Sequence, residues 1–329
     1  MQTRQLGSSD LHLTTVGFGT WGISGVGWRG SWGPQNDEDS IKAIIRAYEL
    51  GVNWIDTAAV YGLGHSEEVV GKALKQLPGR PIIATKLGSC WDEDGNIAGR
   101  LTKESVRKEV EDSLRRLDID TIDLYQIHWP VPDKPDETME GWATMAELIK
   151  EGKVRYAAVC NFNVELMEKA NAIHPVTSLQ PPYCMLRRGI EKEILPYCGK
   201  NRIGVVCYSP MAKGLLTGKF SKERVASLPD EDHRKRSGDF KEPRLSVTLG
   251  MVEELCPIAE RNGRTLAQLA IAWVLRRPEV TAAIVGTRRP EQIEETVKAG
   301  DWNLSQEDIA AVEKILQGYE KNLAKARKG

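Results

Sequence analysis

Eight short apolar runs recur along the chain: TTVGFGT, VNWIDTA, PIIATKL, TIDLYQIH, VRYAAVC, VTSLQ, IGVVCYS and TAAIVG. Each is nearly continuous rather than alternating, as expected of parallel strands buried on both faces. Between them the apolar positions fall at helical spacing. DEDSIKAIIRAYELG has acids in its first turn, apolar residues at 41, 44, 45 and 48, and Gly51 as its C-terminal stop. SEEVVGKALKQL opens on a Ser cap and an acidic turn. TKESVRKEVEDSLRRLD, ETMEGWATMAELIKEG, NVELMEKANA, GIEKEILPYCGKN and PEQIEETVKAG continue the series. Strand then helix, repeated eight times, predicts an α/β protein with a closed (β/α)8 TIM barrel, a doubly wound sheet being the alternative.

Three features depart from a bare barrel. TRQLGSSDLHLT reads as an N-terminal β-hairpin around a Gly-Ser turn. Two helices, about 246–262 and 265–277, follow the seventh strand instead of one, and a last helix over about 305–322 packs outside. The segment from Lys219 to Arg244 is long, charged and weakly periodic, and follows the seventh strand at the face where barrel active sites form. It reads as a lid or as a surface loop. No linker or composition break divides the chain, so residues 1–329 read as one domain.

Composition narrows the function classes. A formal net charge of −1 provides no basic field for nucleic acid or membrane, and the basic stretch KNLAKARKG reads as a solvated helix end. No apolar stretch reaches the length of a membrane span, and MQTRQLGSSD has no apolar signal region. Cys90, Cys160, Cys184, Cys198, Cys207 and Cys256 include no C-x-x-C pair and read as reduced thiols. These observations imply a cytoplasmic protein, a monomer or small homo-oligomer.

Candidate chemistry gathers at the strand ends. Asp56 closes the second run and Tyr61 stands in the loop after it; Lys86 closes the third and His128 the fourth. In a barrel those ends meet at one mouth. Singly, each has an ordinary explanation: a turn cap, a half-buried aromatic, a snorkelling lysine, a packed histidine. Together they form a proton-handling set. A phenol with a pKa of about 10 is a poor acid at neutral pH, and a nearby ammonium lowers that value. Lys86 is placed to do so for Tyr61, Asp56 to keep Lys86 charged, and His128 to orient a carbonyl oxygen. The set delivers a proton but no electrons, so a hydride donor must bind beside it.

The run D-T-A-x-x-Y-G-x-G-x-S-E from Asp56 to Glu67, ATK at Lys86 and QIHWP around His128 resemble the aldo-keto reductase family, and the likeness extends over essentially the whole chain. The resemblance implies an NADPH-dependent reductase of a small-molecule carbonyl, with Tyr61 as general acid, Lys86 and Asp56 as its tuning pair and His128 orienting the substrate. It also implies cofactor contacts. Asn161 and Gln180 would meet the nicotinamide carboxamide, with Cys160 where the family commonly has Ser. Tyr208 would stack on the nicotinamide. Ser209, Pro210, Met211, Lys213, Gly214, Leu215, Gly218 and Lys219 would line the pyrophosphate path. Gly286, Thr287, Arg288, Arg289, Gln292, Glu295 and Thr296 would surround the adenosine, the two arginines suiting a 2′-phosphate. Many members carry Asn where Thr296 stands.

Gly17-Phe-Gly19-Thr-Trp-Gly22 satisfies G-x-G-x-x-G, but no helix follows, so a Rossmann fingerprint is rejected. In the family pattern Gly19, Thr20 and Trp21 border the cofactor and substrate mouth instead. Trp21 and Trp129, with Trp28 and Trp32, are candidates for a substrate pocket beside Tyr61 and His128. Two other classes compete. An NADPH-binding regulatory subunit of the potassium-channel β-subunit type would bind cofactor without turnover. A metal-dependent barrel hydrolase would need clustered ligands, but the first strand ends in FGTW and His12, His65, His174 and His233 have no paired spacing.

Overall fold

All eight apolar runs are strands in the computed structural model, which describes residues 1–326. A hairpin of β1 (Thr3–Gln5) and β2 (His12–Thr14) precedes β3 (Val16–Gly19), β4 (Trp54–Asp56), β5 (Ile82–Leu87), β6 (Ser89–Trp91), β7 (Ile97–Gly99), β8 (Ile122–Ile127), β9 (Val154–Cys160), β10 (Ser178–Gln180), β11 (Gly204–Cys207) and β12 (Val280–Gly286). Strands β3, β4, β5, β8, β9, β10, β11 and β12 pair in parallel, in that order, into a closed barrel. The helices are α1 (Asp37–Glu49), α2 (His65–Leu74), α3 (Lys103–Leu117), α4 (Pro135–Lys150), α5 (Val164–Ile173), α6 (Ile194–Asn201), α7 (Lys222–Ala226), α8 (Arg244–Arg261), α9 (Leu266–Leu275), α10 (Pro290–Thr296) and α11 (Gln306–Ala326). The basic stretch KNLAKARKG begins inside α11, and its last three residues lie outside the described part.

Alternation along each strand sorts side chains between the helix layer and the barrel interior. The outward set, such as Tyr125 and Ile127, joins the main core with the helices. The inward set is apolar at the bottom and polar at the top. Trp54, Ala84, Leu124, Ala158, Val206, Ala282 and Ile284 fill the lower interior. Two residues further along β4, β5, β8 and β9 stand Asp56, Lys86, Gln126 and Cys160, and Gln180 ends β10; all five are at most 3% exposed. The hairpin closes the bottom: Leu6, Leu11 and Leu13 pack into that lower interior. Burial of each such leucine contributes roughly 1.5–3 kcal/mol.

The glycines of the G-x-G-x-x-G run have a packing role. A Cβ on Gly17 would lie 2.0 Å from the Trp54 indole, and one on Gly19 would lie 2.5 Å from Ile284 Cγ2. A large side chain from a neighbouring strand takes each space.

Several local expectations are corrected. Helix α2 is capped by Gly64, not Ser66. Ser66 is buried instead, its hydroxyl bonded to Thr20 Oγ1 at 2.8 Å and Thr57 Oγ1 at 2.9 Å. The helix expected over 189–201 is a 3-10 turn (Gly189–Glu191) followed by α6, and α10 gives way to a 3-10 turn after Thr296. The β6–β7 hairpin was not foreseen. The Lys219–Arg244 segment is not a bare loop: it folds as α7 and two 3-10 turns, His233–Arg236 and Gly238–Phe240.

Candidate active site

Parallel register carries the strand ends to one mouth. Gly19 is level with Asp56, Lys86 with Gln126, and Cys160 with Gln180. The Lys86 ammonium, 1% exposed, donates to Asp56 Oδ2 at 2.6 Å, to the Thr57 carbonyl at 2.7 Å and to Tyr61 Oη at 3.4 Å. The second Asp56 oxygen accepts from Gln180 Nε2 at 2.8 Å and Gln126 Nε2 at 3.2 Å. One carboxylate thus ties four strands together across the barrel top. The Tyr61 and His128 rings meet edge to face, centroids 5.7 Å apart. Sequence reading missed Gln126, although it precedes His128 by two and so faces the same way.

The electrostatics differ in one respect from expectation. Tyr61 is not brought down toward neutrality: burial pushes its pKa up to about 12, with Lys86 pulling the other way and Asp56 reinforcing the rise. Desolvation outweighs the neighbouring cation. For Lys86 burial opposes the charge, but Asp56 prevails and holds the pKa above the usual lysine range. Burial, then Lys86, holds His128 well below the usual histidine value, so its imidazole is neutral at pH 7.

Asp56, Tyr61 and His128 line a cavity of about 880 Å³, and Lys86 is not part of its wall. Of the residues implicated by sequence, Gly19, Thr20, Trp21, Asp56, Tyr61, His128, Trp129, Asn161, Gln180 and Tyr208 line it. So do Ser209, Pro210, Met211, Lys213, Gly214, Lys219, Gly286, Arg288, Gln292, Glu295 and Thr296. Asn161 donates to the His128 carbonyl at 3.0 Å and accepts from Tyr208 Oη at 3.0 Å. Ser209, Ala212 and Lys213 all have positive φ, from 49° to 57°. Such strain concentrates where a ligand is clamped.

Besides Lys86, five implicated residues do not reach this cavity. Cys160 faces inward, but its thiol points at Gln126 Oε1, 3.8 Å away. Leu215 is fully buried against Phe240 and Leu245. A Cβ at Gly218 would meet Leu266 at 2.7 Å. Thr287 is fully buried, its hydroxyl directed at the Val285 carbonyl. Arg289 lines an adjoining recess of about 630 Å³ with Asn36, Asp39 and Arg224. Arg288 lines both spaces and donates to Gln35 Oε1, Trp32 O and Pro34 O, all neutral acceptors.

The substrate-side wall is aromatic. The Trp21 and Tyr61 planes lie within 18°, centroids 6.3 Å apart, and the Trp28 ring is 5.9 Å from that of Tyr61. Trp129, 52% exposed, stands at the rim. Ser89 and Ile97 of the unforeseen hairpin, and His233, Arg234, Arg236 and Ser237 of the segment after β11, complete the wall. Among the described residues no cluster of three or more His, Cys, Asp or Glu is placed to hold a metal, none of the helices is long and apolar enough to cross a membrane, and all six cysteines are unpaired.

Residues 15–317 match the model of the Aldo/keto reductase family. The aldo-keto reductase YhdN of Bacillus subtilis is 36% identical over 321 residues, 96% of this chain and 94% of that protein. The NADH-specific methylglyoxal reductase of Escherichia coli is 34% identical over 98% of this chain and 100% of its own length. Among solved structures, the glycerol dehydrogenase AKR11B4 from Gluconobacter oxydans superposes with a TM-score of 0.87 at 38% identity, over 96% of this chain and 95% of that one.

Proposed function

The chain belongs to the aldo/keto reductase family, and from that premise we propose that it is an NADPH-dependent reductase of aldehydes or ketones with Tyr61 as the proton donor. The observation that carries this reading is a phenol held protonated, 3.4 Å from a buried ammonium and edge to face with a neutral imidazole, at one end of a long cavity. A general acid must hold its proton until the carbonyl oxygen needs it. With its pKa near 12, Tyr61 does so at neutral pH. Once the proton leaves, Lys86 stabilises the phenolate, and Asp56 keeps Lys86 charged. His128, being neutral, donates an N–H to the carbonyl oxygen and aims it at Tyr61.

The cavity fits a nicotinamide dinucleotide, which supplies the hydride when bound. Asn161 keeps one amide N–H and one lone pair for a carboxamide, and Gln180 keeps its carbonyl oxygen. Tyr208 offers a ring face. The strained turn at 209–214, with Lys213, suits a pyrophosphate. Among the described residues the Arg288 guanidinium hydrogen-bonds only neutral acceptors, which leaves it able to meet a 2′-phosphate, and Arg289 flanks the next recess. This favours NADPH over NADH. We further read the chain as one barrel domain, a monomer or small homo-oligomer, and place it in the cytoplasm, where six unpaired thiols stay reduced.

Steady-state reduction of an aldehyde panel with NADPH and with NADH tests the reading. Tyr61→Phe should lose at least a hundredfold in kcat while NADPH affinity, read by fluorescence quenching, stays near wild type. Turnover by the variant at the wild-type rate removes Tyr61 as the acid. A clear preference for NADH removes the assignment of Arg288 and Arg289.

A further inference from the structure

The segment after β11 grips the first loop at three places close together in sequence. His233 donates twice to the Ser31 carbonyl, from its backbone N–H at 2.9 Å and from Nδ1 at 3.2 Å. The Arg234 guanidinium lies over the Trp32 ring, 4.5 Å from its centroid. Arg236 donates to the Arg29 carbonyl at 2.7 Å. The loop so held carries the aromatic wall beside Tyr61.

Trp21 is where this grip reaches the chemistry. Its indole N–H is fixed on the Gly30 carbonyl at 2.9 Å. Its ring stacks with that of His233, centroids 4.7 Å apart and planes 29° apart, and also lies nearly parallel to the Tyr61 ring. Trp32 packs edge-on to both Trp21 and His233, at 5.5 and 4.8 Å. The Ser31 carbonyl accepts from His233 Nδ1, so that nitrogen carries the proton. Burial and the nearby Lys213 hold the imidazole pKa down to about 4, which keeps the ring neutral and apolar enough to stack.

We propose that His233 is a positioning residue for the substrate pocket, holding the Trp21 indole in register with Tyr61, so that the segment after β11 sets which carbonyl compounds fit. The proposal rests on the reading of Tyr61 as the proton donor. Bulky aromatic carbonyls, which must lie along the Trp21 face, depend on the stack most; short aliphatic ones depend on it least. Loss of one stacked ring corresponds to a change of roughly two- to tenfold in binding.

The full-length His233→Ala and His233→Phe variants test this with NADPH, 4-nitrobenzaldehyde and propanal. His233→Ala should raise KM for 4-nitrobenzaldehyde roughly two- to tenfold, with a smaller effect on propanal and an unchanged Kd for NADPH. His233→Phe keeps a ring without the hydrogen bond and should recover most of that loss. Two results overturn the proposal: a wild-type KM for 4-nitrobenzaldehyde in His233→Ala, or a Kd for NADPH that weakens in step with KM. A third is failure of His233→Phe to do better than His233→Ala. If the wild type reduces neither aldehyde, the reductase reading fails by itself, and the stack is then judged without turnover. The Trp21 contribution to near-ultraviolet circular dichroism, taken as wild type minus Trp21→Phe, should collapse in the His233→Ala background; an unchanged contribution overturns the proposal.

Discussion

Removing the negative charge under Lys86 should destabilise the protein more than removing both charges together. Asp56→Asn preserves the side-chain shape and one oxygen for Gln126 and Gln180, but leaves a fully buried ammonium without its anion. Breaking a buried ion pair from one side costs about 3–5 kcal/mol. At about 2 °C per kcal/mol for a chain of this size, the melting temperature should fall by about 6–10 °C. The Lys86 pKa is raised in the fold, so this contribution is complete below the unfolded lysine value of about 10.4 and fades only as pH rises through the folded value. Measurements at pH 7.5 therefore read all of it. Lys86→Met should lose less, because the Asp56 carboxylate keeps two amide donors. The double variant carries no unpaired charge, and such replacements are often nearly neutral. It should melt several degrees above Asp56→Asn alone. Calorimetry of the four cofactor-free proteins completes the cycle. If the double variant loses the sum of the two single losses, the pair is not coupled and the account of Lys86 is wrong.

Gly17→Ala places a methyl 2.0 Å from the Trp54 indole and should destabilise by about 1–3 kcal/mol, with Trp54→Leu in the same chain recovering part of it; an unchanged melting temperature would contradict the packing described. Glu109 accepts from the Gly88 N–H at 3.0 Å, and burial raises its pKa to about 7. The fold therefore favours its protonated form, and stability should fall by roughly 2–3 kcal/mol as pH rises from 4.5 to 7.5. Glu109→Gln should flatten that slope and match or exceed wild type at pH 8; an equally steep slope in the variant would assign it to other groups. Because Tyr61 stays protonated and His128 neutral, kcat/KM for carbonyl reduction should be level from pH 6 to 9. A fall centred near pH 8 would mean that the cation beside the phenol outweighs its burial after all.

The barrel was legible because doubly buried strands need continuous apolar runs, and eight such runs interrupt helical spacing. The clustering of Asp56, Tyr61, Lys86 and His128 was legible because each ends or follows such a run. The β6–β7 hairpin escaped because its residues are partly or fully exposed and pair through their backbones, leaving no apolar signature. Gln126 was within reach of strand alternation; Ser66 was not, because its partners are hydroxyls on other segments. The direction of the Tyr61 pKa depends on a contest between burial and charge that no motif displays. His233 was hidden for a simpler reason: its hydrogen bond to Ser31 spans 202 residues and joins two irregular segments.

The N-terminal hairpin has a consequence for how the chain is made. Leu6, Leu11 and Leu13 leave the ribosome before any barrel strand, yet their inner partners include Ala282 and Ile284. At 5–20 residues per second, the last of these follows Leu13 by roughly 15–50 s. Through that interval the plug has a floor to enter only as fast as successive strands arrive to build it. The piece that seals the barrel is thus synthesised before the barrel itself and fully covered only when the eighth barrel strand arrives, and the nascent chain must keep three leucines out of other contacts until then.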